Sequence, residues 1–484
     1  MAYLKSEKQE ARGKKQAVSD KKPMAIPNPH PPLAAANQAA AEAMPIVKND
    51  PRTIRAWTFY DWANSVHSLV IVSSIFPVYF TATAVNAQGG ADIDFLGMHL
   101  SNSVLFSYAV SAAMLLVALL SPFCTALADY SGRKKLFMKF YCYTGALACG
   151  LLFFFTKDTI TFSIFCFAWS LVGWGGSIVF YNSYLPDITT EDQSDRVSAR
   201  GFTMGYIGSV LLMVFNLVMI LKPQWFGGIS SSMASRISFL TVALWWFGFA
   251  QIPFNVLPDG VRKPRETGGG NWLFNGFREL KTVFNQLKQQ TLAKRFLLAF
   301  FVYNMAVQTV MYVATIFGST ELKLEGQSLI IIILLIQLVA IPGAIGFARL
   351  SERVGNIYAL VAAVVVWTGI CVAAYYVATE QQFFIIAAVV GLVMGGIQSL
   401  SRSTYTKLLP ETTDTASYFG FYDVCEKLSI VVGTAVYGLV EQVTGSMRNS
   451  ILALLVFFVI GLVLLLRIPS QKVYRSTGQT PGVA

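Results

Sequence analysis

Apolar runs of about 20 residues recur along this 484-residue chain, separated by short polar breaks. Such a run, wound as a helix, is about 30 Å long, which matches the hydrocarbon thickness of a bilayer. A water-soluble helical protein would carry many more charged residues on its outer helix faces. Here only 13% of residues are charged and 54% are hydrophobic. The pattern therefore predicts an all-α membrane protein. Twelve spans are expected: 56–81, 103–128, 136–156, 160–184, 201–222 and 235–257, then 293–317, 327–348, 357–379, 382–408, 420–442 and 447–468.

The distribution of Lys and Arg orients these spans. Residues 1–50, the loop Ser131–Lys139 (SGRKKLFMK) and the segment 258–295 are rich in them. The loop from Thr81 to Asn102 has none and carries Asp92 and Asp94. Basic loops stay cytoplasmic, so both termini are expected in the cytoplasm. The net charge of +11 accordingly reports topology and is no sign of a nucleic-acid partner. Residues 1–50 have no apolar core and read as a disordered cytoplasmic tail, not a cleaved signal. Residues 469–484 read as a second cytoplasmic tail.

Residues 258–292 divide the chain. PDGVRKPRETGGGNW has the Pro, Gly and charge content of a linker. Next, Trp272, Phe274, Phe277, Leu280, Val283, Phe284 and Leu287 recur mostly three or four residues apart, with Arg278, Lys281 and Lys288 on other faces. That spacing predicts an amphipathic helix on the cytoplasmic membrane surface. It would join a bundle at 51–257 to one at 293–468.

The two halves repeat each other. LADYSGRKK after the second span sets Asp129 three residues before Gly132. RLSERVGN after the eighth sets Glu352 three before Gly355. YLPDITT ends the fourth span and LLPETT the tenth. The offsets are nearly equal: 223 residues for the glycines and 224 for Pro186 and Pro410. A loose third match pairs Tyr60-Asp61 with Tyr303-Asn304. Duplicated six-helix bundles are typical of secondary transporters, which bind solute between the halves.

Polar residues inside the spans need a reason, because a charge at mid-membrane costs roughly 2.5–3.5 kcal/mol on insertion scales. In the first span Asp61, Asn64, Ser65 and Ser68 follow helical spacing, and His67 lies near the midplane. In the seventh, Asn304, Gln308 and Tyr312 form an uncharged stripe. Gln398 and Arg402 lie one turn apart in the tenth, and Asn182 lies near the end of the fourth. Asp61, Asn64, His67, Asn182, Asn304, Gln308, Gln398 and Arg402 are the candidates for a solute or proton path. Arg402 suits a carboxylate, which its fork binds bidentately. Asp129, Arg133, Glu352, Asp423, Glu426 and Lys427 are the candidates for a gating charge network. In that network Arg402 and the Asp423–Lys427 pair would hold the tenth and eleventh spans together.

LADYSGRKK resembles the cytoplasmic signature of the major facilitator superfamily, with Thr125 where a glycine is usual and Tyr130 where a basic residue is common. FYDWANS, YLPDITTEDQSDRVSARGFTMGYIGS and GGIQSLSRSTYTKLLPETTDTASYFGFYDV resemble the "unknown major facilitator" family, which includes the autophagy-related vacuolar amino-acid effluxers. The likeness runs from about residue 52 to 468, and departs from the family at Val66-His67-Ser68. It implies the major facilitator fold, two pseudo-symmetric six-helix bundles, with the first, fourth, seventh and tenth spans lining a central path. It also implies transport of a small polar metabolite, amino acids among them, by alternating access, with protons or sodium as candidate coupling ions. Two rival readings are a non-transporting receptor or scaffold and a lipid-handling transporter. A bacterial cell membrane is expected, with an organelle membrane as the alternative.

No G-x-x-x-x-G-K-[ST] loop supports direct ATP drive, and neither H-E-x-x-H nor G-x-S-x-G supports an enzyme. His30, His67 and His99 are too scattered for a metal site. Cys124, Cys142, Cys149, Cys166, Cys371 and Cys425 read as packing thiols. No cofactor is expected.

Overall fold

The computed structural model describes residues 47–86, 90, 92–260 and 272–469. The tail 1–46, most of the predicted linker (261–271) and the tail 470–484 lie outside them. Twelve spans run, in order, through Pro51–Thr83, Asn102–Ser131, Lys134–Leu151, Ile160–Ser183, Glu191–Leu221, Ser231–Val256, Thr291–Thr320, Gly326–Val354, Asn356–Tyr376, Glu380–Leu408, Thr415–Thr444 and Met447–Leu466. Eleven carry a long, nearly uncharged apolar stretch. The other, Thr415–Thr444, holds Asp423, Glu426 and Lys427 in its interior.

Helix ends follow local chemistry. Asp50 accepts hydrogen bonds from the Thr53 amide and hydroxyl and so caps the first span, where Pro51 gives up no needed donor. Gly132 ends the second span at φ 65°, a left-handed conformation that glycine adopts without a Cβ clash. The loop between the first two spans contains a hairpin that the sequence reading did not anticipate. Asp92–Phe95 pairs antiparallel with Met98–Ser101. Leu96 and Gly97 both take positive φ at its turn, as a tight two-residue reversal requires.

The first span is not a regular helix throughout. His67–Val72 widens into a π-helix, Ser73 and Ser74 break the run, and Ile75–Thr83 resumes it. The Ser73 amide and hydroxyl both bond the Ser68 carbonyl, five residues back. Such widening is concentrated at functional sites, because it re-aims side chains without ending the helix.

Apolar burial separates into two large cores. One draws on the first six spans, around Trp57, Phe76, Phe167 and Trp246. The other draws on the last six, around Phe300, Trp367, Tyr405 and Phe458, with Tyr206 of the fifth span joining it. A small alanine cluster, Ala199, Ala344 and Ala348, lies between the fifth and eighth spans. The halves meet through these alanines and also through larger side chains: Tyr312, Ile330, Ile333 and Leu334 pack against the first core and Phe202 against the second. The linker helix, Trp272–Gln289, packs on both halves. The Phe277 ring centre lies 4.8 Å from that of Phe123 of the second span and the Phe284 ring centre 5.8 Å from that of Phe421 of the eleventh, both pairs tilted.

Candidate functional site: a charged cavity between the halves

The sequence of the tenth span sets Arg402 in an apolar helix, and packing carries it across to the other half. Its Nη1 lies 3.4 Å from Asp61 Oδ2 of the first span and donates to Asn182 Oδ1 of the fourth at 3.1 Å. Its Nε donates to Ser198 Oγ at 3.0 Å and its Nη2 to the Ser198 carbonyl at 2.8 Å, both in the fifth span. The guanidinium carbon lies 4.2 Å from the ring centre of Phe202 and 4.8 Å from that of Trp57. Asp61 accepts a further hydrogen bond from Tyr181 at 2.6 Å. Tyr181 is held in turn by stacking on Trp57, whose indole N–H donates to the Tyr181 carbonyl. The pair is thus buried, hydrogen-bonded on several sides and stacked, which offsets much of the cost of removing two charges from water.

Gly201 makes this geometry possible. A Cβ there would lie 2.5 Å from Asp61 Oδ2, 2.9 Å from the Tyr181 hydroxyl and 3.0 Å from Arg402 Nη2.

Beyond the pair a cavity of about 240 Å³ opens between the halves. Asp61, Asn182, Asn304, Gln308, Gln398 and Arg402 line it, as does Tyr312 of the predicted seventh-span stripe. Tyr206 reaches across the halves to donate to Gln398 at 3.0 Å. The fifth, eighth and eleventh spans also contribute, through Phe202, Tyr206, Gln337, Tyr422, Glu426 and Lys427. Seven spans therefore line the cavity, the four expected ones and these three. The cavity reaches the exposed Ser73 at the end away from the basic loops.

Two candidates lie off the cavity. Ser68 shares the Asp61 face, whereas Asn64 is turned from it by about 60° and His67 by about 120° at 100° per residue. Asn64 is buried and only its Oδ1 has a partner, Ser65 at 3.5 Å. His67 is fully buried inside the first half, with Nε2 3.0 Å from Ser170 Oγ and its ring beside Trp174 and Trp246. It packs and hydrogen-bonds there, behind Trp174, which lines the cavity.

The charge groups divide differently from the predicted network. Lys427 bonds Asp423 at 3.1 Å and Glu426 at 3.1 Å within the eleventh span, and Asp423 also accepts from Ser121 of the second span at 2.8 Å. Arg402 has no part in this group, because its side chain is drawn into the other half. Glu426 and Lys427 face the cavity, so they belong to its wall. Arg133 is exposed. The next residue, Lys134, does the pairing: it is buried, bonds Asp187, and donates to Thr415 Oγ1 at 3.0 Å.

At the basic end the halves are latched in two matching places. Asp129, ending the second span, accepts from the Ser417 amide at 2.7 Å, its hydroxyl at 2.6 Å and the Ala416 amide at 3.3 Å, and so caps the eleventh span. At the pseudo-equivalent place the eighth span meets the start of the fifth. Asp195 accepts from Ser351 at 2.7 Å, Asn356 at 2.7 Å and Lys407 at 2.7 Å, while Arg196 pairs with Glu352 beside it. Asp187, Asp195, Arg196 and Lys407 were not singled out from sequence. Charges at span ends ordinarily meet water, and only the repeat, which puts similar turns at both latches, hints otherwise.

Comparisons with known proteins fit this geometry. A family model described as "Vacuole effluxer Atg22 like" matches residues 49–477. The chain is 31% identical over 427 residues to an uncharacterized MFS-type transporter, YxiO, of Bacillus subtilis (strain 168), covering 88% of this chain and 97% of that one. It is 24% identical over 503 residues to autophagy-related protein 22-1 of Aspergillus terreus, covering 84% and 80%. Among solved structures it is similar to the human organic anion transporter MFSD10, with TM-score 0.64 at 14% identity over 86% of this chain and 100% of that. It is also similar to the proton:xylose symporter XylE, with TM-score 0.62 at 10% identity over 87% and 96%. At such identities these two likenesses show the fold, twelve helices in two pseudo-symmetric bundles. The chain belongs to the Atg22-like vacuole-effluxer family of the major facilitator superfamily, and is a multi-pass membrane transporter, not an enzyme.

Proposed function

We infer that the chain carries a small polar solute bearing both charge signs, of amino-acid size, by alternating access. The observation that carries this reading is one cavity of about 240 Å³ between the halves with an Asp61–Arg402 pair at its base and a Glu426–Lys427 pair on its wall. The volume lies just below the roughly 300–1,000 Å³ of drug-sized sites, so it suits a metabolite. A solute carboxylate competes with Asp61 for the Arg402 fork, and a solute ammonium competes with the cations for Asp61 or Glu426. Asn304, Gln308 and Gln398 supply neutral hydrogen bonds that fix orientation. Asn64 and His67 support the helix behind them.

The cavity is closed at the basic end by the two latches. Lys and Arg at that end support a cytoplasmic placement, which makes this conformation outward-facing. The bacterial relative supports a cell membrane as its location. The test is flux in liposomes holding the purified full-length chain, comparing labelled zwitterionic, anionic and neutral solutes with and without an imposed pH or sodium gradient. Zwitterion uptake that Arg402→Ala abolishes is expected, and the gradient dependence identifies any coupling ion. Uptake of neutral solutes only, unchanged in Arg402→Ala, would overturn the reading.

A further inference from the structure

A second, larger recess lies at the end away from the basic loops, about 640 Å³ in volume and distinct from the central cavity. Its walls are the outer parts of the first, fifth and sixth spans, with Ile330 of the eighth contributed by the other half. The body is apolar: Ile75, Val78, Met213 and Leu217 face it. Along the fifth span it extends from Met213 to Leu221, eight residues or about 12 Å of helix. Val78 is 68% exposed, so the recess is open sideways, where lipid chains surround the protein.

The rim differs sharply from the body. Lys157, in the short turn between the third and fourth spans, and Arg236, in the first turns of the sixth, both line it. No Asp or Glu is among its described lining residues. Arg236 is fixed in place: its Nε donates to the Phe153 carbonyl and its guanidinium lies 4.9 Å from the Phe153 ring centre. Lys157 is exposed. Hydroxyls also line the recess, among them Ser74, Thr156, Ser235 and Tyr79, whose hydroxyl meets the Phe155 carbonyl and Ser232, both at 3.1 Å.

We propose that this recess binds one anionic phospholipid of the adjoining leaflet, with its phosphate between Lys157 and Arg236 and an acyl chain along Val78, Met213 and Leu217. Two cations at headgroup level, with no acid among the described lining residues, select negative charge. An apolar channel about 12 Å long below them, which takes part of an acyl chain, selects a lipid over a soluble phosphate. Because Ile330 belongs to the second half, the seated lipid touches both halves at the end that must close during transport. This site is independent of the solute cavity and of which solute occupies it.

The test uses full-length protein in vesicles containing a trace of photoactivatable phosphatidylglycerol or of photoactivatable phosphatidylcholine with the same chains. Crosslinked peptides are mapped by mass spectrometry. The glycerol lipid is expected to label peptides 74–83 and 213–221 about fivefold more than the choline lipid, whose trimethylammonium cation is repelled by Lys157 and Arg236. Lys157→Glu, at an exposed position, is expected to remove that difference, and Val78→Trp to reduce labelling by both lipids. Equal labelling by the two lipids in the wild type overturns the proposal, as does a difference that survives Lys157→Glu. Displacement of the label by free glycerol phosphate would also overturn it, since the site would then read soluble phosphate and not lipid.

Discussion

Arg402 reaches out of its own half, and among the described residues every hydrogen-bond partner of its guanidinium belongs to the other. The need is for a planar fork, not merely a positive charge, because Nη1 meets Asn182 and Asp61 while Nε and Nη2 meet Ser198. Arg402→Lys keeps the charge and loses that division. Flux is expected to fall at least about tenfold while the protein still elutes as a folded species on gel filtration. Gly201→Ala tests the same centre from the backbone side. The added methyl overlaps Asp61, Tyr181 and Arg402 together, so it is expected to stop transport. It should also lower unfolding stability by roughly 1–3 kcal/mol, read as a drop in melting temperature. A variant with normal flux would show that the pair tolerates displacement.

Among elements, the first and eleventh spans are the unusual ones. A polar residue in a greasy run stands out, so Asp61, Asn304, Gln308, Gln398 and Arg402 were legible in sequence as residues that must avoid lipid. Their partners were not legible. Asp61 and Arg402 are 341 positions apart, and only tertiary packing decides that Arg402 turns toward the first half instead of the eleventh span. His67 misled for a related reason: a buried imidazole whose Nε2 meets Ser170 has the same sequence appearance as one lining a channel. The hairpin at Asp92–Ser101 lies in a stretch read as loop, where alternation over four residues is too brief to register. The eleventh span begins under the Asp129 carboxylate, which takes up two of its amides that would otherwise lack partners. Asp129→Ala leaves them unpaired. A loss of about 1–2 kcal/mol in unfolding free energy is expected, measured by thermal or denaturant unfolding in detergent. Substitution of the exposed Arg133 by Ala should cost nothing measurable in the same assay.

For the whole molecule, closure of the basic end depends on two pseudo-equivalent latches flanking one central ion pair. If the halves rock, Arg196 and Glu352 must part in every cycle. Arg196→Cys with Glu352→Cys, bridged by a short bis-maleimide, is expected to abolish flux, while each single variant treated alike keeps it. Continued flux in the bridged protein would mean that this seam does not open. The architecture was readable from the duplicated turns and the apolar runs, and the family from stretches such as FYDWANS, because all are local patterns. The latches were not, because they pair residues whose sequence neighbourhoods look like ordinary solvated helix ends.

The one-sided anchoring of Arg402 has a kinetic consequence. To turn inside out without cargo, the carrier must strip a guanidinium of its carboxylate, amide, hydroxyl and carbonyl partners at once, with nothing to replace them. A passenger that substitutes for Asp61 lowers that barrier. The vacant return stroke is then the slow one, and vesicles preloaded with unlabelled substrate should take up tracer faster than empty vesicles do.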